Sequence, residues 1–397
     1  MSAARGPLRV AYVLLAPPSY SETFITSEIA AVRSAGATVE VFAARRSSDR
    51  TTDASGLAAS ALRAPVRMVR HTHRLGVSYG PRAMLAASYA DRLRPDVAAF
   101  APDIIHAHFI NLPTAVATLL AAELRRPVTA IAHAADFLLD RNQLALRRRL
   151  ARLDHLFVIS AATARQIGSR GVDMSTVPHS VVRAAFDGQL LDPLPRRAEP
   201  PYRLVTVARL VAKKGIGLCL DALAQLADAG LPVRYDVYGD GPLRGELTEH
   251  AARLGLTGIA TFHGAVSHDV ATAALAGADL AVLACKSGPD GDLDGIPVFL
   301  MEAGSRGVPV VSTLVSGIPE LVGDGAGWLV RPDDPVALAG AIREAVEDPA
   351  ESARRVKALR ERIDSEFSPG LQAKRLLGTW YALASRADRP EASGRWD

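Results

Sequence analysis

The sequence predicts an α/β protein made of two doubly wound halves, and three observations carry that prediction. Short apolar runs alternate with longer helical patterns, as parallel strands buried on both faces require. The alternation breaks at a stretch rich in Pro and charge, then restarts. At 397 residues the chain is also too long for one comfortable core.

In the first half Val10–Ala16, Val39–Ala43, Ile104–Ile105, Val128–Ala132 and Leu156–Ile159 read as buried strands. Helical patterns over Thr26–Ala35, Thr114–Leu124 and Ala161–Ile167 separate them. Residues 187–201, DGQLLDPLPRRAEPP, lack apolar periodicity and have the composition of a linker. Strands are then expected at Leu204–Ala208, Val233–Tyr238, Leu280–Ala284, Val308–Ser312 and Gly327–Val330, with a helix over Ile216–Ala229. The expected domains are residues 1–190 and 202–370, and a final helix near 371–386 can pack on either. Ligands of open α/β sheets sit beyond the carboxyl ends of the strands. Two Rossmann-like domains facing each other therefore predict a deep interdomain cleft with two binding surfaces.

Composition narrows the classes. Hydrophobic residues at 49% and charged residues at 22% exclude a disordered chain. A formal charge of +4 is too mild to argue for nucleic acid, and no spaced Cys and His or heptad-plus-basic pattern appears. No apolar run approaches the ~20 residues of a membrane-spanning helix. Val10–Ala16 is short and ends in Pro17-Pro18, so it reads as a strand rather than a signal peptide. Cys219 and Cys285 read as small buried hydrophobes, which fits a reducing cytoplasm. The Arg147–Arg149 run with Arg152 has two readings, a solvated helix face and a peripheral contact with the inner membrane face. Nothing in the sequence speaks to oligomeric state.

Chemistry concentrates in the second half. VARLVAKKG places Arg209 and Lys214 on the loop leaving a strand, with Gly215 where a helix begins. Cations and helix amides converging there suit a polyanion, although a solvated basic loop has the same charge pattern. Further on, a strand feeds an acidic, Gly-rich loop and then a helix starting near Pro297. Asp294 lies on that loop and Glu302 eight residues later in the helix. An acid on the loop can reach sugar hydroxyls, and one along the helix a ribose diol. The plain alternative is an acid complementing the helix dipole plus an exposed Glu.

The ordered set RLVAKKG, YGDGPLR, FHGAVSH, DGIPVFLMEA, GVPVVST and SGIPELV, preceded by SETFITSEIAAV, resembles the large group 1 family of retaining two-domain (GT-B) glycosyltransferases. It looks most like the colanic-acid and exopolysaccharide branch, and the resemblance spans nearly the whole chain. It implies that Arg209 and Lys214 hold the donor diphosphate and that Glu302 binds the nucleotide ribose. Asp294 matches the acid beside the donor sugar, where the family usually has the longer Glu. Gly239, Gly264 and Val266 would lie near the base. Gly295, Ile296, Pro297, Val298 and Phe299 would line the diphosphate at the helix start. The implied partner is a nucleoside-diphosphate sugar, UDP favoured and GDP open. The acceptor is a saccharide, a lipid-linked or a natural-product hydroxyl.

The first half offers histidines. HAHF at 106–109 and HAAD at 133–136 each follow a strand. His106 and His108 share a face only while their strand stays extended, and no third ligand stands at metal spacing. The HAAD segment resembles the family's His-Gly-x-Asp turn, which implies that His133 faces the transferred sugar with Asp136 close by. His108 divides equally between structural and acceptor-side roles. Ser21, Glu22 and Thr23 can cap the next helix, but their literal match to the SETFI subgroup favours acceptor contacts. Asp292 and Asp294 have the spacing of a metal-binding pair, but Asp294 already has a role, so no metal and no cofactor are expected. Three rival functions stand beside the transferase: a nucleotide-sugar 2-epimerase of the same architecture, a sugar phosphorylase using inorganic phosphate, and a non-catalytic nucleotide-sugar-binding subunit.

Overall fold

A computed structural model describes residues 6–18, 23–45, 65–76, 81–138, 142–186, 190 and 199–387. It divides into two compact units, one running to Ala185 and resuming at Pro369, the other Phe186–Ser368.

In the first unit β1 (Arg9–Leu14), β2 (Thr38–Ala43), β3 (Ile104–His108), β4 (Val128–Ala132), β5 (His155–Val158) and β6 (His179–Val181) form one sheet. Its order is β2-β1-β3-β4-β5-β6, and every pairing is parallel. The second unit also holds six strands, β7 (Tyr202–Val207), β8 (Val233–Tyr238), β9 (Ala260–Gly264), β10 (Leu280–Leu283), β11 (Val310–Thr313) and β12 (Trp328–Val330). These run β12-β11-β10-β7-β8-β9, again all parallel. β3, β4, β10 and β11 are buried along their whole length, with His106, His108, Thr129, Ser312 and Thr313 the polar residues among their apolar ones.

The order reverses between β1 and β3 in one sheet and between β7 and β10 in the other. At such switch points neighbouring loops diverge and leave a crevice at the carboxyl ends of the strands. β1 and β3 there carry the chain towards SETF and through HAHF. β7 and β10 carry it into VARLVAKKG and the acidic loop.

Several elements lie outside the sequence expectation. β9 is an edge strand whose residues are mostly half-buried or exposed, so it shows no apolar run. β6 is three residues long. The helices Pro65–Leu75 and Pro81–Phe100 precede β3, the second with Pro95 inside it. The final helix, by contrast, is expected near 371–386; it spans Pro369–Ala387 and belongs to the first unit. Its Trp380 is fully buried, with Leu376, Leu377 and Ala384, in one core with Ile25, Ile29 and Val32 of the helix Thr23–Ser34. Both cysteines are free and buried. Among the described residues no helix is long and apolar enough to cross a membrane.

Candidate active site

The second unit assembles its charged site from two loops that the switch point makes neighbours. After β7, Arg209 is exposed, and a single 3-10 turn, Ala212–Lys214, sets Lys213 and Lys214 side by side. Gly215 follows at φ +64°, and a Cβ there would lie 1.7 Å from the Ala284 carbonyl oxygen just after β10. Only glycine satisfies both the left-handed backbone and that approach. The Lys286 amide donates to the Lys213 carbonyl at 3.0 Å, joining the second loop to the first.

The side chains then meet. Lys214 Nζ is 2.6 Å from Asp294 Oδ2, while Lys213 Nζ is 2.7 Å from Asp292 Oδ2 and 3.4 Å from Asp294 Oδ1. The Cys285 thiol also donates to Asp294 Oδ2, at 3.5 Å. Burial alone would raise the Asp294 carboxyl, but Lys214 and Lys213 outweigh it and hold the group below its ordinary value. Burial would likewise lower the Lys213 ammonium, and Asp292 with Asp294 outweighs that, raising it. Two cations and two anions therefore balance one another. Sequence reasoning assigns Lys214 to a diphosphate and Asp294 to a sugar; the structure joins the two in one ion pair. Lys213 and Asp292, neither assigned a ligand, complete the cluster.

The helix Val298–Ser305 begins four residues after Asp294, with Pro297 at its N-cap and no side-chain cap there. Pro297 and Phe299 are buried beneath the helix start, while Gly295, Ile296 and Val298 are half-buried. Glu302 lies a turn further on, half-buried, and its carbonyl accepts from Ser305 Oγ at 2.9 Å. Gly239, at φ +132°, donates its amide to the Gly264 carbonyl at 2.8 Å, so these two glycines meet at the ends of β8 and β9. Val266 packs on the core close after them. An apolar cavity of about 640 Å³ lies at the opposite, amino-terminal ends of the strands, lined by Tyr202, Asp279, Gly307 and Val356. None of the charged site's residues lines it.

In the first unit β3 stays extended through His108, so His106 and His108 share a face, and both are fully buried. Glu28, buried on the helix Thr23–Ser34, meets them. Tyr12 Oη donates to Glu28 Oε1 at 2.9 Å, and His108 Nε2 lies 2.9 Å from the same oxygen. His108 Nδ1 is 3.4 Å from His133 Nε2. His106 Nδ1 is 2.9 Å from Thr129 Oγ1, which also accepts from Trp380 Nε1 at 3.0 Å. His106 Nε2 is buried without a hydrogen-bond partner, 3.9 Å from Glu28 Oε1. Burial lowers His106 well below the ordinary imidazole value, and His108 adds to the shift. Burial, again with His108, lowers His133 to about 3, so all the imidazoles with a resolved shift here are neutral at pH 7. Rings of Phe24 and Phe109 flank His133, with centroids 4.9 and 4.8 Å away. Phe109 itself adopts φ +73°, the kind of backbone strain that clusters at functional sites.

Glu28, His106 and His108 bring their ligand atoms within 4.8 Å of one another, close enough to hold a metal ion. Glu28 is the third donor that local spacing does not offer, because it comes from another element. His108 is sealed in and engaged at both nitrogens, so it reaches any acceptor only through His133. Asp136 Oδ2 accepts from the amides of His133 and Ile110, each at 3.0 Å, which makes it a cap joining the turns after β3 and β4. Its burial outweighs those bonds and nearby Arg149, pushing the carboxyl up to about 7. Thr23 opens its helix. Ser21 and Glu22 lie outside the described residues.

Comparison with known proteins places the whole chain. A family model described as glycosyl transferases group 1 matches residues 193–362, and one for glycosyltransferase family 4 matches residues 21–183. The chain is 30% identical over 415 residues to WcaL of Escherichia coli K12, a glycosyltransferase assigned to colanic acid biosynthesis, covering 95% of this chain and 100% of the relative. It is 30% identical over 327 residues to the amylovoran biosynthesis glycosyltransferase AmsK of Erwinia amylovora, covering 79% of this chain and 77% of the relative. Its fold matches the crystal structure of HepE from Anabaena in complex with UDP, at a TM-score of 0.69 and 19% identity, over 95% of this chain and 100% of that one. Matched over 95% of its length by such a relative, and in each half by a family model, the chain belongs to the group 1 glycosyltransferases, in their exopolysaccharide branch.

Proposed function

We propose that this transferase takes a sugar from a nucleoside-diphosphate sugar, UDP favoured, and moves it to a hydroxyl with retention of anomeric configuration. One observation carries the reading: two lysines stand together at the β7–β10 switch point, beside the start of the helix Val298–Ser305. An ion pair with an internal acid is a natural resting state for a cation that awaits a diphosphate. An incoming diphosphate would draw Lys214 from Asp294, exchanging one charge-assisted contact for another and freeing the acid for the sugar. Arg209 and the helix amides add to the same charge. Glu302 takes the ribose, and Gly239, Gly264 and Val266 border the base. HepE, which shares the fold, is known as a complex with UDP, and this supports the nucleotide assignment.

In the reaction the bond from the anomeric carbon to the diphosphate oxygen breaks and a bond to the acceptor oxygen forms. The acceptor's proton passes to the departing phosphate on the same face. Negative charge grows on the diphosphate as this happens, and Arg209, Lys214 and the amides stabilise it, the electrostatic contribution that usually dominates such barriers. This scheme draws its positive charge from side chains and backbone rather than from a metal. His133 serves the transferred sugar. The acceptor side is assigned to Ser21, Glu22 and Thr23, together with His108 and Asp136. A saccharide or lipid-linked acceptor accords with relatives named for colanic acid and amylovoran biosynthesis. The setting proposed is the cytoplasm, with peripheral contact at the inner membrane face.

Proton NMR of donor turnover tests the reading. An α-linked UDP sugar should yield the α-configured product or, with water as acceptor, the α-sugar first. Release of the β-sugar first would contradict retention, and a 2-epimerised donor would favour the epimerase.

A further inference from the structure

We infer that Glu28 acts through His108 to fix the tautomer of His133, so that His133 offers its ligand a bare Nδ1 acceptor. This rests on the reading above that His133 serves the transferred sugar. Glu28 and His108 are then positioning residues, which touch no substrate themselves.

Counting protons along the chain of contacts gives the result. An ionised carboxylate can only accept hydrogen bonds. Glu28 Oε1 takes one from Tyr12 Oη at 2.9 Å, and His108 Nε2 stands at 2.9 Å from it, so that nitrogen carries a hydrogen. We set His108 neutral beside an ionised Glu28; a neutral imidazole has one donor and one acceptor, which leaves its Nδ1 with a lone pair. His133 Nε2 lies 3.4 Å from that lone pair and must supply the hydrogen. Its own Nδ1 is then an acceptor. Such a nitrogen receives a hydroxyl proton, as a sugar offers. A neutral ring also places no positive charge against a sugar carbon that becomes electron-poor as its leaving group departs. The depressed His133 value agrees with that neutrality.

The helix alone does not explain Glu28. Ile25, Ile29 and Val32 line the same buried face, where an aliphatic residue avoids the cost of dehydrating a carboxylate. Nor does packing choose between tautomers. Orienting a histidine from behind is a familiar use of a buried acid.

A second use of these residues makes the opposite forecast. A metal held by Glu28, His106 and His108 needs lone pairs on both Nε2 atoms. His108 would then carry its hydrogen on Nδ1 and donate it to His133 Nε2, leaving His133 with Nδ1–H.

Long-range proton–nitrogen correlation spectra of the full chain, labelled at histidine nitrogen, read the tautomers directly. Peaks are assigned by loss in His108→Gln and His133→Asn. The expected result at pH 7 is Nε2–H on both His108 and His133. An Nδ1–H tautomer on either overturns the inference, as does a stoichiometric metal that shifts both rings. Glu28→Leu should mix the His133 tautomers and lower kcat by about tenfold or more, the size usual for partners that orient a histidine. UDP affinity should stay unchanged, and Glu28→Gln, which keeps an acceptor oxygen, should recover most of the rate. A Glu28→Leu chain that is folded by circular dichroism and keeps the wild-type rate overturns it. The wild-type spectrum decides the tautomers even where a variant does not fold. Full activity in His133→Ala would instead overturn the sugar-facing role of His133 and leave the tautomer result standing.

Discussion

Lys214 and Asp294 hold each other at 2.6 Å, and that contact organises the forecasts at the scale of single residues. Replacing Lys214 by Ala removes a cation from the leaving group and should lower kcat by roughly 10²–10³, as loss of one such stabilising group does elsewhere. The fold should persist, because Lys213 still faces both acids. Steady-state kinetics beside a melting curve check both halves, and wild-type turnover would remove Lys214 from the phosphate role. Asp294→Glu restores the family's longer acid. It should alter the ranking of donor sugars more than the affinity for free UDP, which competition between UDP sugars will show. Asp136 gives a forecast in pH. Its carboxyl titrates near 7 when folded and near 3.8 when unfolded, so the folded chain holds the extra proton between those values. Stability from this group is present below about pH 4 and is lost as pH rises towards 7, by about 1.4 kcal/mol per unit. Asp136→Asn keeps an oxygen for both amides and should lack that loss. Urea unfolding of both chains from pH 4.5 to 7 measures the difference, and parallel curves would contradict the assignment.

Elements decide which of these residues can meet, and this is where the sequence is legible only in part. The runs that became β1 and β4 announce themselves because nearly every residue of each is buried, and β8 because buried Val233, Tyr235 and Val237 alternate with polar residues. Arg209, Lys214, Asp294 and Glu302 stand out because motifs mark them along the chain. What stays hidden is the Lys213–Asp292 contact, which exists because β10 inserts beside β7 rather than beyond β9. Glu28 was half visible: its helical spacing with Ile25, Ile29 and Val32 aims it inward, but nothing local shows that two histidines of β3 wait there. β9 hid because an edge strand need not be apolar. Gly215 tests the loop assembly as a unit. Ala at that position meets both a left-handed backbone and the Ala284 carbonyl, so Gly215→Ala should cost more than the 1–3 kcal/mol of backbone strain alone. Chemical denaturation reads that loss, and UDP binding should fall with it. An unperturbed variant would show that the two loops are not joined as described.

Across the whole molecule each unit carries a six-stranded parallel sheet with one switch point, and the chain's last helix returns to the first of them. Trp380 fastens it by a fully buried ring and a bond to Thr129, next to His106. Trp380→Ala should therefore destabilise the first unit by roughly 3–5 kcal/mol. Hydrogen exchange should show the loss in β1, β3 and β4 and spare β7 to β12; uniform loss would contradict the division. In the second unit Lys214 and its neighbours form the proposed seat of a nucleoside diphosphate. Isothermal titration with UDP, and with GDP, ADP and TDP as comparisons, tests this most directly in wild type and Lys214→Ala. The prediction is saturable binding of UDP by the wild type, weakened at least tenfold by the substitution. Binding of none of the four, or equal binding by both chains, would contradict it.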